Sequence, residues 1–428
     1  MDNNETLAIW PWHALTLPWS IERLHLVAKG HSNKIKDEKQ DKPFHNFFPT
    51  SSQSNTRIKI AYLSGDFYDH PISHLLHGLF GKHNRDKVEV FVYSFTPPNS
   101  SSYRLRIENE SEHFIDVPGM NVKEIAKRIA SDGIQILIDI MGYTGFSRGG
   151  VYPLRPAPIQ VNFLGMLGTM GADFFDYIIT DEFLTPPDYA NNFNEKFVYM
   201  PHSYMIAELE KEVPFKKVDR AIYGLPDKGF VFCSFNNSYK IEPLSFDLWM
   251  EILKQVPESV LWLQSTGPIM EKNIRAETEK RGVNGSRVHF AGFVPREVHL
   301  HRHLAADLFL DSLVYNAAAT SSLALQMGLP VLTCSGKTFA SRVCGSLLRA
   351  VELPDLIAKD YDEFITLAIS LANNPDKLQF YSQNLIKNRS RLPLFDTARF
   401  AGYLEKAYAM MWANYTKGNS PAVIKVQE

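Results

Sequence analysis

A chain of 428 residues is longer than one hydrophobic core ordinarily organises, so two large domains are expected, or two with an appendage. A hydrophobic content of 45% with 21% charged residues describes a folded, soluble protein, and the formal net charge of -2 excludes the broad basic surface that draws nucleic acid or acidic membranes. Three cysteines (Cys233, Cys334 and Cys344), an odd number without metal-ligand spacing, fit reduced core thiols in a cytoplasmic protein. The opening MDNNET lacks a basic leader region and no apolar run reaches the ~18 residues of a membrane span. No membrane span is expected, and export by a signal of another kind stays open.

Residues 1–55 begin with an aromatic, apolar segment that becomes amphipathic and helical from Ser20, then pass into a polar linker over 34–55 that marks a domain boundary. From Ile58 strands alternate with helical patterns: IKIAYLS, then a loop into a helix over 66–80, VEVFVYSF, HFIDV, a helix over 121–133, IQILIDI, IQVNFLG, DYIITD and KFVYMP. This rhythm over 56–206 predicts a parallel sheet with helices on both faces. The charged, unpatterned stretch 207–220 reads as a hinge.

The rhythm resumes over 221–395, and its organising stretch is 229–264. FVFCSF is a buried strand, Asn236-Asn237-Ser238 a polar loop, Pro243 the first turn of an amphipathic helix, and VLWLQ a second strand. Lys240 therefore stands where a strand end meets a helix start, the place where open parallel sheets bind ligands; one cation among several donors suits a diphosphate, and a solvated loop lysine is the plainer alternative. RVHFAG follows as a strand, VPREVHLHRH as a loop, LFLD as a strand, SLVYNAAATSS as a loop into a helix that ends at Met327, and PVLTC as a strand. Residues 362 onward read as helical, and a terminal helix within 396–428 is long enough to reach back onto the first lobe. The fold expected is α/β: two doubly wound Rossmann-like lobes with a cleft between them and a C-terminal helix packing back on the first.

Several stretches in register resemble the catalytic region of the protein O-linked N-acetylglucosamine transferases, inverting nucleotide-sugar enzymes of the two-lobed GT-B type. They include SGDFYDHPISHL (64–75), MGYTGFSRGG (141–150), LRPAPIQVNFLG (154–165), FVYMPHSY (197–204), FCSFNNSYKIEP (232–243) and AADLFLD (305–311), with order and spacing agreeing over residues 58–415. The resemblance implies UDP-N-acetylglucosamine as donor substrate, no metal and no other cofactor. It places Lys240 on the donor diphosphate, offsetting charge on the leaving group. His70 falls at the sugar and acceptor end, where an imidazole can orient the acceptor or relay a proton. Gly142, Tyr143 and Thr144 match a sugar-contacting turn, Arg296 and His299 match residues that hold the uracil, and Asn237 stands where the family has a glutamine. Asp360-Tyr361-Asp362, the single D-x-D, reads as a helix cap rather than a metal motif.

The loop 315–323 departs from the pattern. Asn316, Thr320 and Ser321 remain to meet the nucleotide, but Ala318 replaces a family histidine, Ala319 a threonine and Leu323 an aspartate that holds ribose hydroxyls. Helix-start N–H groups and the hydroxyls of 320–322 still form a phosphate site. The tetratricopeptide repeats that usually precede the catalytic lobes have only about 55 residues in their place, so recognition of a protein acceptor is expected to be local, supplied by another chain acting as an adaptor, or absent. Three readings follow: an O-N-acetylglucosaminyltransferase, the same chemistry on another nucleotide sugar or acceptor, and a catalytically silent binding module.

Overall fold

The computed structural model describes residues 9–37, 44, 57–209, 215 and 218–428. Most of the 34–55 linker and part of the 207–220 hinge lie outside the described residues. The chain divides into two compact units, Met1–Glu208 with Asp396–Glu428, and Leu209–Phe395.

The first unit opens with α1 (Pro11–Ala14) and α2 (Ile21–Asp37), then runs β1 (Ile58–Ser64), α3 (Pro71–Leu76), β2 (Val88–Ser94), α4 (Ser102–Glu110), β3 (His113–Asp116), α5 (Val122–Ser131), β4 (Ile136–Asp139), β5 (Ile159–Asn162), β6 (Tyr177–Thr180) and β7 (Lys196–Tyr199). The second runs β8 (Val231–Ser234), α6 (Pro243–Gln255), β9 (Val260–Gln264), α7 (Pro268–Lys280), β10 (Val288–Ala291), α8 (Arg296–Arg302), β11 (Leu308–Leu310), α9 (Ala319–Gln326), β12 (Val331–Cys334), α10 (Val343–Ala350), β13 (Ile357–Ala358), α11 (Tyr361–Ala372) and α12 (Pro375–Asn388). The chain then returns to the first unit through α13 (Thr397–Thr416) and β14 (Ile424–Lys425).

Both sheets are parallel, and their strand order decides where ligands can sit. The first is ordered β14-β7-β6-β5-β4-β1-β2-β3 and the second β10-β9-β8-β11-β12-β13. In each the chain starts at a central strand, winds outward, and crosses back to the other side of that strand: β1 to β4 in one, β8 to β11 in the other. Such a reversal leaves a crevice at the carboxyl ends of the two strands because their following loops diverge. The strands read as nearly unbroken apolar runs, as expected of sheets covered on both faces, and Tyr62, Phe163, Trp249 and Trp262 are among the large side chains fully buried against them.

Local sequence explains the element ends. Asn121 and Glu124 form a reciprocal capping box on α5. Pro243 occupies the first turn of α6, where Glu242 caps the helix by accepting from Ser245 N–H. Asp360 caps α11, accepting from Glu363 N–H at 2.9 Å. The stretch VPREVHLHRH, expected as a loop, is instead largely helix α8; Pro295 supplies its start, and Leu300 packs inward while Arg296 and Glu297 stay toward solvent. The terminal tail also contributes β14, which pairs with β7, an element too short for periodicity to reveal.

The return of α13 onto the first unit is fastened by polar contacts. Tyr408 and Tyr62 hydroxyls meet at 3.0 Å, His83 Nε2 lies 2.9 Å from the same Tyr62 oxygen, and Glu405 accepts from Asn84 N–H at 2.8 Å.

Candidate active site

In the first unit the crevice between the ends of β1 and β4 collects His70 and the 142–144 turn. Just past β1, Asp66 N–H donates to Ser64 Oγ (3.0 Å) and Asp66 C=O accepts from Ser73 Oγ (2.6 Å), which ties the loop to α3. His70 is the N-cap of α3: its Nδ1 accepts from Ile72 N–H at 3.3 Å and lies 3.7 Å from Asp66 Oδ2. Because Nδ1 accepts, the neutral ring carries its proton on Nε2. Burial pushes the His70 imidazole down to about 4, so it is neutral at physiological pH. Burial, reinforced by the nearby Asp139 charge, pushes the Asp66 carboxyl up to about 7. Asp139, at the end of β4, is raised by burial to about 6 even though N–H groups oppose the shift.

Asp139 builds the neighbouring turn. Its Oδ1 accepts from Met141 N–H (2.9 Å) and Gly142 N–H (3.0 Å), and Thr144 Oγ donates back to Met141 C=O (3.1 Å). Gly142 has φ +62°, and a side chain there would strike Met166; one on Gly165 would strike the Met141 backbone. Two glycines thus let two loops touch main chain to main chain. The Tyr143 ring is buried with its hydroxyl on Met170 C=O (2.8 Å), so this residue can offer a ligand only its backbone. Thr144 is half-exposed.

In the second unit the crevice lies between the ends of β8 and β11. Lys240 closes a short 3-10 turn after β8, and its ammonium donates to Asn316 C=O at 3.0 Å and sits 4.1 Å over the Tyr315 ring. Burial pushes its pKa down to about 8, against the pull of the Asp311 carboxylate. Asn237, exposed, precedes that turn. The opposing loop hangs on Asp311, whose Oδ1 accepts from Ser312 N–H (2.9 Å) and Ala317 N–H (2.7 Å) and whose Oδ2 accepts from Thr333 Oγ (2.7 Å). Asn316 is fully buried: its amide donates to Ser312 C=O and accepts from Cys344 N–H, so it faces the crevice through its carbonyl. Ser321 is likewise buried, its hydroxyl donating to Ala317 C=O at 2.6 Å. Thr320 is half-exposed in the first turn of α9, whose N-cap Ala318 provides no side-chain acceptor. The first N–H groups of α9 accordingly have no side-chain cap, which suits an anion.

Arg296 and His299 stand one turn apart on α8, both half-exposed. The His299 ring lies 5.7 Å from Phe235 at the end of β8, which links α8 to the crevice. His303, behind it, is buried and pushed down to about 3 by burial and the Arg302 charge.

Two residues of the crevices escape sequence reasoning, and the part played by a third, Asn236, differs from the one expected. Asp139 is the last residue of β4 and Asp66 stands two residues past β1, and a carboxylate at the carboxyl end of a buried strand was the available signal. Asn236 is buried, donates to Ser312 Oγ at 3.0 Å, and leaves its Oδ1 without a partner among the described residues. In sequence it counts only as one of the polar donors around Lys240; its buried bond to the opposing loop is visible only in the fold.

Two doubly wound parallel sheets, each with a polar crevice at its crossover and one crevice holding a lysine beside a helix start, define the GT-B class of glycosyltransferase fold. The family description "Glycosyl transferase family 41" matches residues 1–218 and 210–404, and the chain belongs to that family. An Arabidopsis thaliana protein called probable UDP-N-acetylglucosamine–peptide N-acetylglucosaminyltransferase SEC is 39% identical over 87% of this chain and 39% of its own length. A Caenorhabditis elegans UDP-N-acetylglucosamine–peptide N-acetylglucosaminyltransferase is 30% identical over 96% of this chain and 46% of its own. The chain therefore spans less than half the length of these relatives. Among solved structures, a Thermobaculum terrenum O-GlcNAc transferase mutant superposes with a TM-score of 0.85 at 28% identity, covering 95% of this chain and 76% of that one. Anabaena HepE in complex with UDP shares the fold at a TM-score of 0.53 and 14% identity, over 83% of this chain and 100% of that one. Among the described residues no helix is long and apolar enough to cross a membrane.

Proposed function

We propose that this chain is an inverting, metal-independent glycosyltransferase that moves N-acetylglucosamine from UDP-N-acetylglucosamine to serine or threonine of proteins. The observation that carries the reading is the Lys240 ammonium at the β8–β11 crossover, beside the uncapped start of α9. As the bond from the sugar C1 to the diphosphate oxygen breaks, the electron pair goes to UDP, and a fixed ammonium offsets that charge where little water competes. The backbone N–H groups at 319–321 and the Thr320 hydroxyl hold the phosphates, while Arg296 and His299 flank the base. In the first unit the Thr144 hydroxyl meets the sugar. His70, protonated on Nε2, orients the acceptor as a hydrogen-bond donor, and Asp66, whose affinity for a proton is near neutrality, is the group suited to take the acceptor's proton. The names of the relatives support a peptide acceptor and this donor.

A second reading, the same chemistry on another nucleotide sugar or acceptor, is motivated by one feature: Ala318, Ala319 and Leu323 put apolar side chains at the start of α9. Calorimetric titration with UDP tests the primary reading, and saturable binding that Lys240→Met weakens is expected. A panel of UDP- and GDP-sugars in a thermal-shift assay separates the two readings, because a ligand that binds only the folded state raises Tm. Stabilisation by a GDP-sugar with none by UDP overturns the first.

A further inference from the structure

The N-terminal helical pair reaches the sugar-side turn directly. Trp10, immediately before α1, is 42% exposed, yet its indole N–H donates to the Tyr143 carbonyl at 2.6 Å. His31, from α2, lies between the two aromatic rings, 4.5 Å from Trp10 and 4.6 Å from Tyr143 by ring centroids. The contact is one end of a longer seam. Ser32 Oγ donates to Gly171 C=O at 2.8 Å, and a side chain on Gly171 would strike the Lys29 backbone. Lys36 pairs with Asp173, and Ile35 lies against Gly149. Helix α2 is thus flush against Gly149, just past the 141–147 turn, and against the 171–173 loop.

That turn needs outside support. It contains Gly142 at φ +62° and Phe146 at φ +63°, and the latter is a non-glycine residue in the left-handed region with its ring 98% exposed. Such backbone persists where its surroundings over-determine it. Asp139 holds the turn from its own strand and Gly165 abuts it from the next loop; the third support comes from Trp10 and His31. The Tyr143 carbonyl, adjacent to Thr144, is the atom that this support fixes.

We propose that Trp10 and His31 are positioning residues for sugar transfer: they set the Tyr143-Thr144 main chain, and so the Thr144 hydroxyl, without touching the substrate. This rests on the transferase reading above. It makes the N-terminal helical pair part of the sugar-side crevice of the first unit, and UDP affinity, assigned above to residues of the second unit, is expected to be independent of it.

The test compares wild type, Trp10→Phe, which removes the N–H and keeps a ring, and His31→Phe, which keeps an aromatic ring between Trp10 and Tyr143. Turnover of UDP-N-acetylglucosamine, UDP affinity by calorimetry, Tm, and amide exchange of the 140–147 segment are measured on each. Loss of one neutral hydrogen bond corresponds to about a two- to tenfold effect. In Trp10→Phe, kcat is expected to fall by that factor and exchange at 143–145 to rise by a similar one, with UDP affinity and Tm close to wild type. His31→Phe is expected to retain most of the turnover. Wild-type kcat and exchange in Trp10→Phe overturn the proposal, as does a loss of activity that merely follows a lowered Tm. A wild-type protein that turns over no UDP-sugar overturns the transferase reading, and the proposal with it. That outcome is distinct from a working enzyme indifferent to Trp10.

Discussion

Replacing Lys240 with methionine removes one charge while keeping a flexible stem of similar length. In the free protein the ammonium donates to Asn316 C=O and lies over Tyr315, and burial holds its pKa near 8, below the ordinary 10.5. A charge-assisted hydrogen bond is worth about 1.5–3 kcal/mol, which corresponds to roughly 10- to 150-fold weaker binding of UDP. The stability effect has the opposite sign. A lysine whose folded pKa is lowered gives up its proton more readily folded than unfolded, so the charged form opposes folding below about 8, and stability from this group rises as pH increases from about 8 to 10.5. Lys240→Met is therefore expected to bind UDP poorly with Tm equal to or above wild type at pH 7. Wild-type affinity for UDP should itself decline as pH rises through about 8, and the mutant should show no such decline. Calorimetric titrations at pH 6.5, 7.5 and 9 with parallel thermal melts read both quantities. Unchanged UDP affinity in the mutant, or a Tm that falls with it, refutes the placement of that ammonium on the diphosphate.

Three further predictions address other links. Nitrogen-15 NMR of the His70 ring should show a neutral imidazole protonated on Nε2 down to about pH 5, because its pKa is pushed to about 4; an imidazolium at pH 6 contradicts the cap geometry. Tyr408→Phe deletes the 3.0 Å hydroxyl contact that fastens α13 to β1 and should cost about 1 kcal/mol in urea unfolding, with a lower midpoint at constant slope; no shift argues against that fastening. Gly165→Ala drives a methyl group into the Met141 backbone and should destabilise by about 1–3 kcal/mol; a stable variant with full activity would show that the close approach of these loops is dispensable.

Much of the fold is legible in the sequence because parallel strands buried on both faces announce themselves as apolar runs, and 229–264 alone displays a complete strand-helix-strand unit. The sequence cannot show strand order. The crossovers at β1/β4 and β8/β11, which bring His70 beside 142–144 and Lys240 beside 316–321, are products of tertiary pairing. Helix α8 escaped because its histidines and arginines obscure its one buried apolar residue, Leu300, and β14 because two residues carry no period. Within the site, Lys240 is legible from its place at a strand end. The roles of Asp311, Asn236 and Asn316 are not, since a buried polar residue that braces a loop looks in sequence like one that meets a ligand. Trp10 and His31 are legible as residues of an apolar, aromatic segment, and their destination on Tyr143 is visible only in the fold.

The central claim is tested most directly by incubating the purified protein with UDP-N-acetylglucosamine and an acceptor protein mixture, and measuring UDP release together with sugar on serine or threonine. The account predicts release and transfer in wild type and neither in Lys240→Met. Absence of both in wild type, or equal release by the mutant, contradicts it.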